Sequence, residues 1–276
     1  MENRVCIFVD GENLRFTINE LFSPRFFDPS EYIPINAKWD DWYDTLARQS
    51  VFEAHVKRVR TYWFVTENVY CHPPLIHRDM TDAQQLEWLD INANAIQSSK
   101  VIQNSEKRQL RSGPDRERLR MLYKVTDDLR GLKGWVENVF KSNHHRQNEI
   151  AEKYWAIEFC RSGEITYRLF DKKFGQEKTV DVNLALAMAL RAPIYDTVVI
   201  VSEDQDYVPA VQQVKNLGKN VVNVSFEREN GGLLPGGAKK LNEITDWSLQ
   251  IPFKEFQKAL GLTKEIPPRD QGQTST

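Results

Sequence analysis

Two continuous apolar runs, Val5 to Val9 and Thr197 to Val201, each lead into acidic residues, and they constrain this chain more than any other feature. Apolar runs this short and this rich in β-branched residues are strands covered on both faces, the pattern of a parallel sheet with helices on either side. A third strand, Asn220 to Phe226, follows a helix expected over Val208 to Leu217. There Val208, Val211, Val214 and Leu217 recur every third residue and Gly218 is placed to end the helix. Val56 to Val65 and Ile165 to Phe170 are weaker strand candidates. Strands alternating with helices imply an α/β fold around a central, mainly parallel sheet with right-handed crossovers.

In such a sheet the reactive side chains collect beyond the carboxyl ends of the strands. Asp10 ends the first strand, and Asp204 with Asp206 follow the strand that ends at Val201. If those strands are neighbours, the three carboxylates share one crevice. Like charges at close range disfavour each other's ionisation, a cost that a divalent cation removes. Mg²⁺ suits such a site because it prefers hard oxygen ligands, keeps waters and binds phosphate oxygens at the same time. The implied chemistry is phosphodiester hydrolysis by an activated water. A fourth acid, Asp181, opens the segment Val180 to Leu190, apolar nearly throughout and expected to be buried on most faces. An acid in a first helical turn also has a simpler explanation, complementing the helix dipole.

Three motifs carry a family resemblance. Asp10-Gly11-Glu12-Asn13 after an apolar strand, Lys178-Thr179-Val180-Asp181 opening a helix, and Ser202-Glu203-Asp204-Gln205-Asp206-Tyr207 after another strand together resemble the NYN domain, a PIN-like group that includes the LabA-like proteins. The strongest local likeness spans Thr179 to Val224. The resemblance implies a PIN-like three-layer sandwich and metal-dependent cleavage of RNA, single-stranded or structured. It also implies that Asp10, Asp181, Asp204 and Asp206 are direct or water-mediated ligands of Mg²⁺ or Mn²⁺, that Asn13 and Ser202 orient a ligand or the attacking water, and that Lys178 contacts phosphate. The chain departs from the family where Glu203 and Thr179 stand at positions usually held by glycine.

The NYN/PIN-like domain is expected over 1–250, interrupted at about 72–156 by an inserted helical subdomain with breaks near Gly113-Pro114 and Gly131 to Gly134. A C-terminal extension follows over 251–276, disordered from about Lys264. With 37 Lys and Arg against 39 Asp and Glu, the chain has no global signature of nucleic-acid binding. Between Ser98 and Arg146, however, twelve basic residues face six acidic ones, 12 − 6 = +6. That excess could grip a phosphate backbone or be an ordinary solvated helical face. Trp135, Tyr154 and Trp155 are expected to anchor a core, since aromatic rings carry large buried area. Cys71-His72 with His77 lacks the second ligand pair a zinc site needs.

No run approaches the roughly 18 apolar residues of a membrane span, and three widely spaced cysteines argue for a reducing compartment, so a cytoplasmic location is expected. The oligomeric state stays open, a homodimer among the options. Against an endoribonuclease stand a non-catalytic RNA-binding or adaptor module that keeps the fold, and a phosphotransferase using Asp10 as nucleophile. The latter wants an aspartate two residues on, where this chain has Glu12.

Overall fold

The computed structural model describes residues 2–28, 31–52, 55–77, 79–175, 179–234 and 238–267. Along the chain run β1 (Asn3–Asp10), α1 (Gly11–Phe22), α2 (Trp39–Gln49), β2 (Val56–His72), α3 (Asp82–Ile91), α4 (Ala93–Ser98), α5 (Asn104–Ser112), α6 (Asp115–Lys153), β3 (Ile157–Arg168) and β4 (Lys173–Phe174). They are followed by α7 (Thr179–Leu190), β5 (Thr197–Val201), α8 (Val208–Asn216), β6 (Asn220–Phe226), α9 (Ala238–Ile244), β7 (Trp247–Ile251) and α10 (Phe253–Ala259). Strand order is β4-β3-β2-β1-β5-β6-β7, and β1 pairs in parallel with β2 and β5, as β5 does with β6 and β6 with β7. The chain therefore has the mostly parallel α/β architecture expected of it.

Two compact units emerge, one formed by Met1–Val65, His145–Ser162 and Thr179–Thr276, the other by Thr66–His144 and Gly163–Lys178. In the first unit the strands alternate strictly between two cores, as a period of two requires. Val5, Ile7, Val9, Val199, Val201, Val222 and Val224 face a core built with α1, α2 and α10. Cys6, Phe8, Val198, Ile200 and Val221 face a second core built with α7, α8 and α9. Both faces of the sheet are covered, which is the three-layer arrangement.

Only one stripe of α7 is used in this. Val180, Leu184, Ala187 and Met188 are buried, whereas Val182, Leu186 and Leu190 are 56%, 53% and 77% exposed. The helix is thus not buried on most faces, because covering one side of a sheet engages a single stripe however apolar the remainder is. Trp135 and Trp155, expected in a core, are 59% and 75% exposed; Tyr154 does pack against the first core and donates its hydroxyl to the Ala37 carbonyl at 3.0 Å.

The second unit gathers Leu89, Ile96, Leu110, Leu122, Val125, Leu129 and Val136 around Cys71, Tyr167 and Phe170. The turn at Gly113-Pro114 separates α5 from α6, but the expected break at Gly131 to Gly134 does not occur and α6 runs on for 39 residues. Two glycines cost about 1 kcal/mol each relative to alanine. The stripe of Leu122, Val125, Leu129, Leu132 and Val136 runs past them at helical spacing and keeps the helix whole. Strand β3 also begins eight residues earlier than Ile165. Among the described residues no helix is long and apolar enough to cross a membrane, and the extension beyond Pro267 lies outside them.

Candidate active site

The site grows from the junction of β1 and α1. Asp10 is the last residue of β1 and the N-cap of α1, its Oδ1 accepting the Asn13 backbone N–H at 3.0 Å. That bond satisfies a donor at the helix start that would otherwise have no partner. Gly11 follows because nothing larger fits: an added Cβ would lie 2.6 Å from the Phe64 carbonyl oxygen on β2. The parallel register pairs Asp10 with Phe64, so strand pairing itself forces the tight approach.

The neighbouring strand β5 ends one residue before Ser202, whose hydroxyl lies 3.2 Å from Asp10 Oδ2. The Asn13 side chain pins the same loop, its Oδ1 accepting the Glu203 N–H at 3.2 Å. A 3₁₀ turn at Gln205–Tyr207 then carries Tyr207 inward, where its hydroxyl is 2.9 Å from Asp181 Oδ1 and 3.3 Å from Asp10 Oδ2. Tyr207 is 1% exposed and Asp10 6%. Two carboxylates, one from β1 and one from the first turn of α7, thus meet across one phenol.

Burial pushes the Asp10 carboxyl up to about 7, and the Asp181 charge adds to the rise, against the lowering pull of the Asn13 N–H and Ser202 hydroxyl. Burial and the same two carboxylates raise the Tyr207 hydroxyl, so it stays protonated. A phenol has one proton to donate, and the shorter contact directs it to Asp181. The longer contact to Asp10 is then relieved when Asp10 itself carries a proton, consistent with its raised value.

Of the expected site residues, Asp10, Asp181, Asn13 and Ser202 come together. Asp204 and Asp206 serve the loop: the Asp204 N–H donates to Ser202 Oγ at 3.1 Å, and Asp204 Oδ1 caps the 3₁₀ turn by accepting the Asp206 N–H at 2.9 Å. Asp206 is exposed. Among the described residues no three acidic, histidine or cysteine side chains are gathered closely enough to hold one ion. Lys178 lies outside the described residues.

Glu203 has ordinary backbone geometry, since the positive-φ non-glycine residue among those described is Lys172. Its carboxyl is pushed up to about 7 by burial and by Glu20, with Arg228 opposing, and its Oε1 is buried without a hydrogen-bond partner. Tyr207 is the functional residue the sequence did not single out. Its place at the end of the acidic hexapeptide was the available signal, but an aromatic entering a helix also fits core packing alone.

A mostly parallel sheet with helices on both faces and acids at its carboxyl edge is an α/β architecture consistent with a PIN-like fold. The NYN domain family model matches residues 133–233 of the chain. The match takes in the second half of α6 together with β3, β4, α7, β5, α8 and β6, and leaves β1 with Asp10 outside it. No curated protein matches the chain. A solved structure of a protein of unknown function from Vibrio parahaemolyticus RIMD 2210633 is 14% identical, with 91% of this chain and 93% of that chain covered and a TM-score of 0.40.

Proposed function

We propose that the chain is a metal-dependent endoribonuclease of the LabA-like kind, in which Asp10 and Asp181 hold Mg²⁺ or Mn²⁺. The observation that carries this reading is the buried Asp10 carboxyl, pushed up to about 7 beside Asp181 across Tyr207. A fold does not set a buried carboxylate beside a half-buried one for stability, because each makes the other harder to ionise. The donor set fits a hard divalent cation, for which one or two carboxylates with waters and substrate phosphates suffice. Bound there, the cation supplies the positive charge that makes water an effective nucleophile toward a phosphodiester near neutral pH.

The chain's own residues do the rest. Ser202 and the Asn13 N–H fix the orientation of Asp10, and Tyr207 fixes Asp181 against it. Asp204 and Asp206 stand at the rim, free to act through water, and Lys178 is assigned to the substrate phosphate. The test is cleavage of end-labelled single-stranded and hairpin RNA with Mg²⁺, Mn²⁺ or EDTA, for the native protein and for Asp10→Asn and Asp204→Asn. Metal-dependent cutting that Asp10→Asn abolishes and Asp204→Asn reduces is expected. Inactivity with either metal on every RNA sinks the reading.

The absence of a third gathered ligand among the described residues favours one alternative, a non-catalytic RNA-binding module. It requires salt-sensitive RNA binding without turnover that survives Asp10→Asn.

A further inference from the structure

The second unit contains an open cavity of about 610 Å³ between the outer end of β2 with its following loop and the middle of α6. That is within the range of roughly 300–1,000 Å³ typical of small-molecule sites. Its apolar lining includes Leu75 and Ile76, and Tyr70, 40% exposed, also lines it. Helix α6 contributes Gly134 to the lining, with Arg130 and Lys133 before it and Glu137 after it in the chain.

Gly134 is the informative residue. A glycine inside a helix costs about 1 kcal/mol relative to alanine and is normally retained for close packing. Here a Cβ would meet nothing within 4 Å. Among the described residues nothing requires the glycine, and its effect is to leave bare helix backbone in the cavity lining. The cations beside it keep capacity to spare: Lys133 reaches Glu137 only at 3.8 Å, and Arg130 pairs with the exposed Asp127 through one of its nitrogens.

An exposed aromatic ring, bare helix backbone and two adjacent cations fit a planar ring that carries an anion. We propose that this cavity is a nucleotide subsite, taking one unpaired base against Tyr70 and Gly134 with its phosphate on Arg130 and Lys133. The ligand is either a free nucleotide or a splayed nucleotide of an RNA strand. The preference for a nucleotide over other planar anions rests on the nuclease reading. Binding is measured without metal, where no cutting occurs, so cleavage and binding fail independently.

The experiment uses the full chain in EDTA at low salt, with adenosine and uridine 5′-monophosphates and a short single-stranded oligoribonucleotide as probes, followed calorimetrically. Gly134→Leu places a side chain in the cavity and should weaken binding at least tenfold while leaving thermal stability equal or higher, since it removes a helical glycine. Lys133→Gln should weaken binding several-fold and flatten its dependence on salt by about one phosphate contact. Binding of the monophosphates identifies a free nucleotide as the ligand, and binding of the oligonucleotide alone identifies the strand. The proposal is overturned if neither probe binds, or if Gly134→Leu and Lys133→Gln both bind as the native protein does.

Discussion

Replacing Asp10 by asparagine should make the metal-free protein more stable at pH 8 even as it removes activity. The Asp10 carboxyl sits at about 7 in the folded chain, against 3.8 as its ordinary value. Below the ordinary value both states are protonated, and the favourable contribution of the neutral group is fully present. As pH rises the unfolded chain ionises first, and stability falls by about 1.4 kcal/mol per pH unit until the folded group also ionises near pH 7. The full loss is on the order of 4 kcal/mol, of which about 2.5 kcal/mol falls between pH 5 and pH 8. Asparagine keeps the shape and caps α1 about as well as aspartate, but does not titrate. Urea unfolding in EDTA at several pH values should show the asparagine variant gaining on the native protein by about 2.5 kcal/mol from pH 5 to pH 8. Glu203 titrates over the same range in both proteins and cancels from the difference. Millimolar Mg²⁺ at pH 8 should then stabilise the native protein and leave the variant unchanged. Parallel pH profiles for the two proteins would refute the reasoning, because they would mean that Asp10 is not held neutral by burial.

Tyr207→Phe removes the hydroxyl that faces both carboxylates. Without metal it should cost about 1–3 kcal/mol, more at pH 8 than at pH 5, and equal losses at both pH values would count against the shared contact. Gly11→Ala drives a methyl into the Phe64 carbonyl and should lower stability by about 1–3 kcal/mol, seen as an earlier urea midpoint. Leu184→Ala should cost about 2–5 kcal/mol, whereas Leu186→Ala, two positions along the same helix, should stay within about 0.5 kcal/mol. Similar losses for the two leucines would mean that the outer face of α7 is covered.

The strands and the carboxyl edge were legible because burial on both faces leaves a direct mark in the chain. Val5 to Val9 and Val198 to Val201 are apolar at every position since their residues alternate between two cores. The same logic misleads for helices: α7 is mostly apolar, yet apolar composition on a helix does not reveal which residues are covered, and Val182, Leu186 and Leu190 face outward. Gly131 and Gly134 misled in the opposite sense, because local preference is outweighed by a core stripe at helical spacing whose worth depends on partners distant in sequence.

For the site, the sequence located the acids but not how they are divided. Asp10 and Asp181 are 171 residues apart, and what joins them is the register of β1 against β5 together with the turn that swings Tyr207 inward. Asp204 and Asp206 look equivalent in the chain, yet a carboxylate that caps a local turn has already used one of its oxygens. The distinction separates two pairs by experiment: Asp10 and Asp181 should govern metal affinity, while Asp204→Asn, which can still cap the turn, should leave affinity nearly intact and act on the rate of cutting.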